Sequence, residues 1–253
     1  MRPHILITGA SSGIGAALAL EMCSRGLAVG LVARREPELI ALSEQIEEQG
    51  GQAAWATADV TDPDGLKQAI RSIEATLGPT SILVANAGIS GRSPTTKPNI
   101  SRIQRVMDVN YYGAIHATEA VLPHMLEQKS GHLVVVSSVA GFRGLPKSSA
   151  YSSSKAAIST YWEALRVECQ PHGIAATTIN PGYIKTPLTD KNNHPMPFII
   201  SAEKAAKIMA SGILARKKVI TFPWRMRWVM ALMRVLPNWI FDRLWKQAGE
   251  HYR

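Results

Sequence analysis

The chain has 253 residues, of which 46% are apolar and 19% are charged, with a formal net charge of +9. This apolar share supports a substantial core and excludes wholesale disorder, and the length suits one large α/β domain or two small ones. No uninterrupted apolar run reaches the roughly 18 residues of a membrane-spanning helix, and the short apolar segment before the first glycines is not a signal peptide. Cys23 and Cys169 are too few and too far apart for a disulfide framework, so we expect buried free thiols and a cytoplasmic location.

Short apolar segments that predict strands alternate with segments of helical spacing. The predicted strands are His4–Thr8, Leu27–Ala33, Ala53–Ala58, Ser81–Ala85, His132–Ser137 and Ile174–Ile179. The predicted helices are Gly13–Ser24, Pro37–Gln49, Pro63–Leu77, Ser101–Asn110, Tyr111–Gln128 and Ser149–Gln170. Because continuously apolar strands indicate a parallel sheet covered on both faces, we predict an α/β, doubly wound parallel sheet (a Rossmann fold) over residues 1–221. Residues 222–253 are predicted to form a C-terminal amphipathic helical appendage on this single domain.

A glycine-rich loop, Gly9-Ala10-Ser11-Ser12-Gly13-Ile14-Gly15, follows the first predicted strand and opens a helix. Glycines let the backbone approach a pyrophosphate, and a helix N-terminus supplies positive potential. The spacing differs from the commoner Gly-x-Gly-x-x-Gly, but the strand–loop–helix context favours dinucleotide binding. The same residues also satisfy Gly-x-Ser-x-Gly, the nucleophile elbow of a hydrolase. We disfavour that interpretation because only eight residues precede Gly9, which leaves no room for the upstream oxyanion strand.

The end of the second predicted strand bears on the choice of cofactor. An NAD site usually has an acidic residue there to hold the ribose 2′-hydroxyl, but this strand ends in Arg34-Arg35. Guanidinium groups can bind a 2′-phosphate with two hydrogen bonds, so the sequence predicts NADP(H), with Arg34 the better candidate. The alternative is a pair of solvated arginines on a loop.

Tyr151 and Lys155 lie four residues apart in a predicted helix, and Tyr151 follows Ser138 by thirteen residues. Residues four apart share one helix face, and a neighbouring ammonium is expected to lower the pKa of the phenol. Tyr151 would then be a proton donor and acceptor near neutral pH. Taken alone, the pair favours the simpler interpretation of an exposed tyrosine beside a solvated lysine.

Six motifs in order resemble those of the short-chain dehydrogenase/reductase family, from about Pro3 to Thr186. They are Thr8-Gly9-x-x-x-Gly13-Ile14-Gly15, Asp59-Val60, Asn86-Ala87-Gly88, Asn110, Ser138 with Tyr151-x-x-x-Lys155, and Pro181-Gly182-x-x-x-Thr186. One departure is Ala85, where the family often has a further asparagine; we expect only a small local adjustment.

The resemblance implies four catalytic residues. Tyr151 exchanges a proton with the substrate oxygen, and Lys155 lowers the tyrosine pKa and hydrogen-bonds the nicotinamide ribose. Ser138 orients the carbonyl, and Asn110 interrupts its helix and holds a water that relays protons through Lys155. The implied cofactor-binding residues are Gly9, Ser11, Ser12, Gly13, Ile14, Gly15, Arg34, Arg35, Asp59, Val60, Asn86, Ala87, Gly88, Tyr151, Lys155, Pro181, Gly182, Ile184 and Thr186. The seven histidines show no metal-ligand spacing, so no metal is expected.

The expected function is therefore an NADP(H)-dependent oxidoreductase acting on CH–OH or C=O groups of a small, apolar and lipid-like molecule. An NAD-dependent alcohol dehydrogenase and a non-catalytic dinucleotide-binding sensor stay open as alternatives. We expect a homodimer or homotetramer and no nucleic-acid partner. Residues 187–200 are predicted to form a flap over the substrate. The apolar side chains predicted to line the pocket are Met196, Phe198, Ile199, Ile200, Phe142, Leu145 and Tyr183.

The last part of the chain carries most of the positive charge. Residues 216–253 contain nine Lys and Arg against two Asp and Glu, a net charge of +7. A helical wheel over Arg225–Leu236 places Arg227 and Arg234 opposite an apolar arc, and a second stripe follows Pro237. The apolar positions are Trp228, Val229, Leu232, Met233, Val235 and Leu236, then Ile240, Phe241, Leu244 and Trp245. Residues 222–247 are predicted either to contact a membrane peripherally or to pack on the protein's own active site or a second subunit.

Overall fold

A computed structural model of the protein describes residues 4–190 and 196–249. Within them the strands are β1 (His4–Thr8), β2 (Ala28–Ala33), β3 (Ala53–Thr57), β4 (Thr80–Ala85), β5 (Gly131–Val136), β6 (Ile174–Pro181), β7 (Ile184–Lys185), β8 (Ile200–Ser201) and β9 (Val219–Phe222). The helices are α1 (Gly13–Ser24), α2 (Glu36–Glu48), α3 (Pro63–Leu77), α4 (Ile100–Met107), α5 (Gly113–Gln128), α6 (Ser149–Cys169), α7 (Ala202–Leu214), α8 (Trp224–Val235) and α9 (Asn238–Gly249). A π-helical turn over Asp108–Tyr112 joins α4 to α5, and short 3₁₀ turns span Val139–Gly141 and Gln170–His172.

Seven strands form one parallel sheet in the order β3-β2-β1-β4-β5-β6-β9. The strand order reverses between β1 and β4, because the chain runs outward through β2 and β3 and then returns to the other side of β1. Such a reversal opens a crevice at the carboxyl ends of the strands, where ligands bind in folds of this kind. The predicted doubly wound α/β fold is confirmed. β7 and β8 form a separate parallel pair.

The sheet is buried on both faces, which explains its continuously apolar strands. Alternate residues of a strand point to opposite faces, so Ile5 and Ile7 of β1 pack in one layer and Leu6 packs in the other. The first layer is completed by α1, α2 and α7, and the second by α3, α5 and α6. Trp162 of α6 is fully buried there, and its indole N–H donates to the Leu133 carbonyl at 3.2 Å.

The predicted helix Pro63–Leu77 is confirmed, and its start has a local cause. Pro63 occupies the first helical position, and the Asp62 side chain accepts a hydrogen bond from the Gly65 N–H at 3.1 Å. Most of the other predicted elements end within one or two residues of the observed ends. The segments predicted as Ser101–Asn110 and Tyr111–Gln128 meet at the π-helical turn. No strand or helix was predicted for β9 or α7.

The two C-terminal helices follow the last strand of the sheet. Met226 and Met230 of α8 are buried against Val139, with Phe142 packed beside them. The predicted apolar arc is therefore not the packed face, since Trp228 and Leu232 within it are 66% and 60% exposed. In the described residues no helix is long and apolar enough to cross a bilayer. The division of the chain at residue 222 stays a prediction.

Candidate active site

Three of the predicted catalytic side chains meet beside the carboxyl end of β5. Ser138 follows that strand, and α6 brings Tyr151 and Lys155 to it on successive turns. The Lys155 ammonium is almost completely buried; Nζ donates to the Val136 carbonyl oxygen at 2.8 Å and lies 5.8 Å from the centroid of the Tyr151 ring. The Ser138 side chain hydrogen-bonds that of Tyr151, and its Oγ also lies 3.4 Å from the carbonyl oxygen of Pro181, the last residue of β6.

The depth of this cluster controls its electrostatics. Burial raises the pKa of Tyr151 above its usual range, and the hydrogen bond with Ser138 offsets only part of that rise. Burial lowers the pKa of Lys155 to about 8. The sequence predicted a lowered tyrosine pKa, but the net shift is upward, because burial disfavours the phenolate. Tyr151 is protonated at neutral pH, which suits it to give a proton.

Asn110 lies in the π-helical turn between α4 and α5, so the predicted local break in the helix is present. Its Nδ2 donates to the Ile89 carbonyl at 2.9 Å and to Ser154 Oγ at 3.0 Å, and its Oδ1 accepts from the Ile89 N–H at 2.8 Å. These bonds join the loop after β4 to α6. A Cβ added to Gly88 would lie 3.3 Å from Asn110 Oδ1 and 3.5 Å from Lys155 Nζ, so Asn110 and Lys155 are neighbours. The water relay stays a prediction.

The glycine-rich loop is fixed against the loop that follows β4. Thr8 Oγ1 accepts from the N–H groups of Asn86 and Ala87 at 3.1 and 3.2 Å. Asn86 Nδ2 in turn donates to the carbonyls of Thr8 and Gly9. Gly9 has φ of +68°, and a Cβ there would lie 2.8 Å from the Ala87 Cα; a Cβ on Gly15 would collide with the Gly9 carbonyl oxygen. Only glycine fits at these two positions.

The N-terminus of α1 is arranged for an anion. Ser12 is its N-cap residue but makes no side-chain capping bond, and the first turn holds no acidic residue. The hydroxyls of Ser11 and Ser12 instead accept from Arg35 Nη2 at 2.9 and 2.8 Å. Thr186 borders the same loop, because a Cβ on Gly13 would lie 3.1 Å from its Cγ2. Backbone N–H groups, a helix dipole and a guanidinium therefore converge, which fits a dinucleotide pyrophosphate.

A carboxylate flanked by two arginines lies near the ends of β2 and β3. Asp59 Oδ2 is 3.5 Å from Arg34 Nη1 and 3.1 Å from Arg105 Nη2, and Arg105 also donates to Thr61 Oγ1 at 3.2 Å. Burial raises the pKa of Asp59, but hydrogen bonds from the Thr61 N–H, the Thr61 hydroxyl and Arg105 outweigh it and lower the pKa to about 2. Arg34 and Asp59 were predicted to bind cofactor and are close together. Val60 was assigned the same role, and its side chain is buried in the core.

Part of the predicted substrate pocket assembles beside Ser138. Phe142, Leu145 and Tyr183 pack around Val139 and the buried methionines of α8. Phe198 and Ile199 of the predicted flap do not belong to this cluster and are 42% and 41% exposed, and Lys191–Pro195 of the flap lie outside the described residues. Phe142, Leu145 and Tyr183 therefore cluster with α8, whereas Phe198 and Ile199 do not, and the pocket itself stays a prediction.

Arg143, which the sequence did not single out, connects the loop after Ser138 to the C-terminal helices. Its guanidinium donates to the carbonyls of Met233 and Leu236 at 2.7 and 2.6 Å and to Asn238 Oδ1 at 2.8 Å. The same group lies 4.1 Å from the centroid of the Phe241 ring. It satisfies carbonyls at the C-terminal end of α8 and holds the bend before α9. Among the described residues, no group of three His, Cys, Asp or Glu side chains could hold a metal ion.

Comparison with known proteins agrees with this geometry. The chain is 42% identical over 237 residues to a Myxococcus xanthus protein named "Uncharacterized oxidoreductase", covering 94% of both chains. It is 34% identical over 218 residues to a protein of Acinetobacter baylyi named "Fatty acyl-CoA reductase", covering 85% of this chain and 74% of the other. A crystal structure of an actinorhodin polyketide ketoreductase variant with NADPH superimposes with a TM-score of 0.80 at 26% identity, covering 87% of this chain and 95% of that one. The family model described as short chain dehydrogenase matches residues 3–197, and the chain therefore belongs to this family of oxidoreductases.

Proposed function

We propose that the protein transfers hydride between NADPH and the carbonyl carbon of an apolar, lipid-like substrate. The observation that carries the proposal is the cluster of Ser138, Tyr151 and Lys155 in the crevice bordered by the glycine-rich loop. The nicotinamide, when bound, supplies the hydride. The chain supplies the proton, the orientation of the carbonyl and the pocket.

Each residue of the cluster has a separate task in reduction. The Tyr151 hydroxyl gives its proton to the substrate oxygen as the carbonyl carbon is reduced, so the substrate becomes an alcohol and the tyrosine becomes a phenolate. The nearby Lys155 ammonium stabilises that phenolate. The Ser138 hydroxyl donates a hydrogen bond to the substrate oxygen as negative charge develops there. Asn110 keeps the β4 loop and α6 in register through Ile89 and Ser154.

The preference for NADPH is proposed to depend on Arg34, whose side chain is 62% exposed beside Asp59. Arg34→Asp should lower the ratio of kcat/KM for NADPH to that for NADH by about 10- to 100-fold, the value of one or two charge-assisted hydrogen bonds. The ratio is measured by steady-state oxidation of each cofactor with one carbonyl substrate. Arg71→Asp on the exposed face of α3 is the matched control. An unchanged ratio, or a wild type that uses both cofactors equally, would contradict the assignment.

The proposed substrate class is supported by the apolar cluster around Val139 and by the name of the Acinetobacter relative. Across a series of unbranched methyl ketones and aldehydes, kcat/KM with NADPH should rise with chain length by up to about fourfold for each buried CH₂, equivalent to roughly 0.8 kcal/mol. The rise should stop when the pocket is full. A value independent of chain length would count against an apolar substrate.

We also propose that the protein is a cytoplasmic homodimer or homotetramer that contacts the membrane surface peripherally. Members of this family commonly form oligomers, and apolar side chains such as Ile100 and Val167 are 63% and 60% exposed on α4 and α6. Support for the membrane contact comes from the exposed tryptophans and arginines of the C-terminal helices.

A further inference from the structure

Helix α8 has two apolar faces on opposite sides. Met226 and Met230 form the inner face, which is buried against the loop that follows Ser138. The outer face is formed by Trp224, Trp228, Leu232 and Val235, which are 67%, 66%, 60% and 74% exposed. On a helical wheel these four side chains lie within about 80° of one another and roughly opposite the two methionines. One face therefore belongs to the core and the other has no protein cover within the described chain.

The exposed apolar side chains of the outer face form one row along α8. Trp224 and Val235 are eleven residues apart, so the stripe is about 16 Å long. Trp239 at the start of α9 is also exposed, at 69%. Seven of the sixteen large apolar side chains that are exposed in the described residues belong to α8 and α9. Single exposed apolar residues are normal, whereas a contiguous patch marks a site that binds an apolar partner.

Positive charge borders this stripe. Arg227 and Arg234 lie on one flank of α8 and Arg225 lies on the other, and residues 216–253 carry a net charge of +7. The Arg225 guanidinium is 5.4 Å from the centroid of the Trp224 ring, and that of Arg227 is 6.0 Å from the ring of Trp228. Arginine and tryptophan side by side are typical of helices in the interfacial region of a lipid bilayer.

The charge distribution favours a bilayer over a second copy of this chain. Two copies that met face to face through the outer faces would bring their arginine flanks together, and juxtaposed like charges oppose association. Anionic lipid headgroups would neutralise the same arginines while the tryptophans enter the boundary between headgroups and acyl chains.

We propose that the outer face of α8 binds the surface of an anionic phospholipid bilayer. Because the inner face of the same helix packs against Val139 and Phe142, one side of α8 would face lipid while the other borders the pocket at Ser138. A carbonyl substrate dissolved in the bilayer therefore enters the pocket beside the docked helix. The route of entry rests on the proposed carbonyl reduction, whereas the lipid contact does not.

Co-sedimentation tests the lipid contact. Wild-type protein should sediment with phosphatidylcholine vesicles that contain about one third phosphatidylglycerol, and at least about tenfold more weakly with phosphatidylcholine alone. Two double variants should each weaken binding to the anionic vesicles by about tenfold or more. They are Trp224→Ser with Trp228→Ser, and Arg227→Glu with Arg234→Glu. Two matched control variants change exposed residues elsewhere and should bind like wild type. They are Ile40→Ser with Leu214→Ser, and Lys67→Glu with Arg71→Glu.

Three results would overturn the proposal. In the first, wild-type protein fails to sediment with anionic vesicles, and no lipid contact exists. In the second, the double variants of α8 sediment like wild type, which places the contact elsewhere. In the third, light scattering shows that wild-type protein is an oligomer that does not bind vesicles and that the tryptophan variant is dissociated, which identifies a second copy as the occupant.

A further measurement separates this proposal from the proposed function. Tyr151→Phe should sediment with anionic vesicles as wild type does, because the lipid contact does not use the catalytic hydroxyl. The α8 tryptophan variant should reduce a short, water-soluble ketone at the wild-type rate but a vesicle-dissolved long-chain ketone about tenfold more slowly. Equal rates on the vesicle-dissolved ketone would refute the route of entry. Vesicle binding without any NADPH oxidation would refute the proposed function alone.

Discussion

Tyr151→Phe is expected to lower kcat/KM for NADPH-dependent carbonyl reduction by about 10³-fold, within the range for loss of a positioned general acid. The substitution removes the hydroxyl proposed to give its proton to the substrate oxygen. It keeps the aromatic ring, which lies 5.8 Å from Lys155 Nζ, so the pocket should hold its shape. NADPH affinity, measured by fluorescence titration, should stay within about twofold of wild type because the phenyl ring preserves the packing.

The matched control is Tyr161→Phe, which removes a hydroxyl from the same helix. Tyr161 packs against Tyr111 with ring centroids 6.1 Å apart and belongs to the second core layer. Its loss should leave kcat/KM within about threefold of wild type, as expected of a residue that does not take part in proton transfer. If Tyr151→Phe keeps most of the activity, another group gives the proton. If the wild type binds NADPH but reduces no carbonyl, the chain is a dinucleotide sensor.

The local motifs of this site could be predicted from sequence, whereas the contacts that complete it could not. Gly9 and Gly15 are six residues apart, and Tyr151 and Lys155 are four residues apart. Within each pair the short spacing alone restricts the geometry. Arg105 contacts Asp59 across 46 residues, and nothing in the sequence connects the two. Arg143 and the end of α8 are separated by 90 residues or more. These pairs exist only because the fold brings distant segments together.

The pKa of Tyr151 is another property of the site that depends on the fold as well as on the local motif. The sequence places an ammonium one turn from a phenol, which predicts a lowered tyrosine pKa. It does not show how deeply the pair is buried, and burial decides the sign here. The orientation of α8 is also undecided by the sequence, since this helix has apolar side chains on two faces. Periodicity identified an amphipathic helix but could not decide that Met226 and Met230, and not Trp228, would face the protein.

Lys155→Met is expected to lower kcat/KM for carbonyl reduction by about 10²- to 10³-fold, because the phenolate formed at Tyr151 loses its stabilising cation. Methionine approximates the length of the lysine stem, so the buried volume is retained. The Val136 carbonyl loses its 2.8 Å hydrogen bond, and a stability measurement on the variant must accompany the kinetics. Ser153→Ala, an exposed position on the same helix, is the control for substitution in α6.

The pH dependence follows from the pKa of Lys155, which burial lowers from an ordinary value of 10.5 to about 8. The ammonium is therefore lost as pH rises through about 8, while Tyr151, whose pKa is raised, keeps its proton. With NADPH as the varied reactant, kcat/KM reports groups of the free enzyme and should fall above about pH 8. Lys155→Arg should remove this fall, since a guanidinium keeps its charge, even if its overall rate is lower.

Stability should change in the opposite direction over the same range. The folded protein holds Lys155 at a lower pKa than the unfolded chain, so the unfolded state binds more protons between about pH 8 and pH 10.5. The free energy of unfolding of the wild type, relative to Lys155→Met, should therefore rise as pH increases through this window. If activity falls near pH 8 without that relative gain in stability, a group other than Lys155 is titrating. If both occur together, the same buried amine controls the stability and the rate.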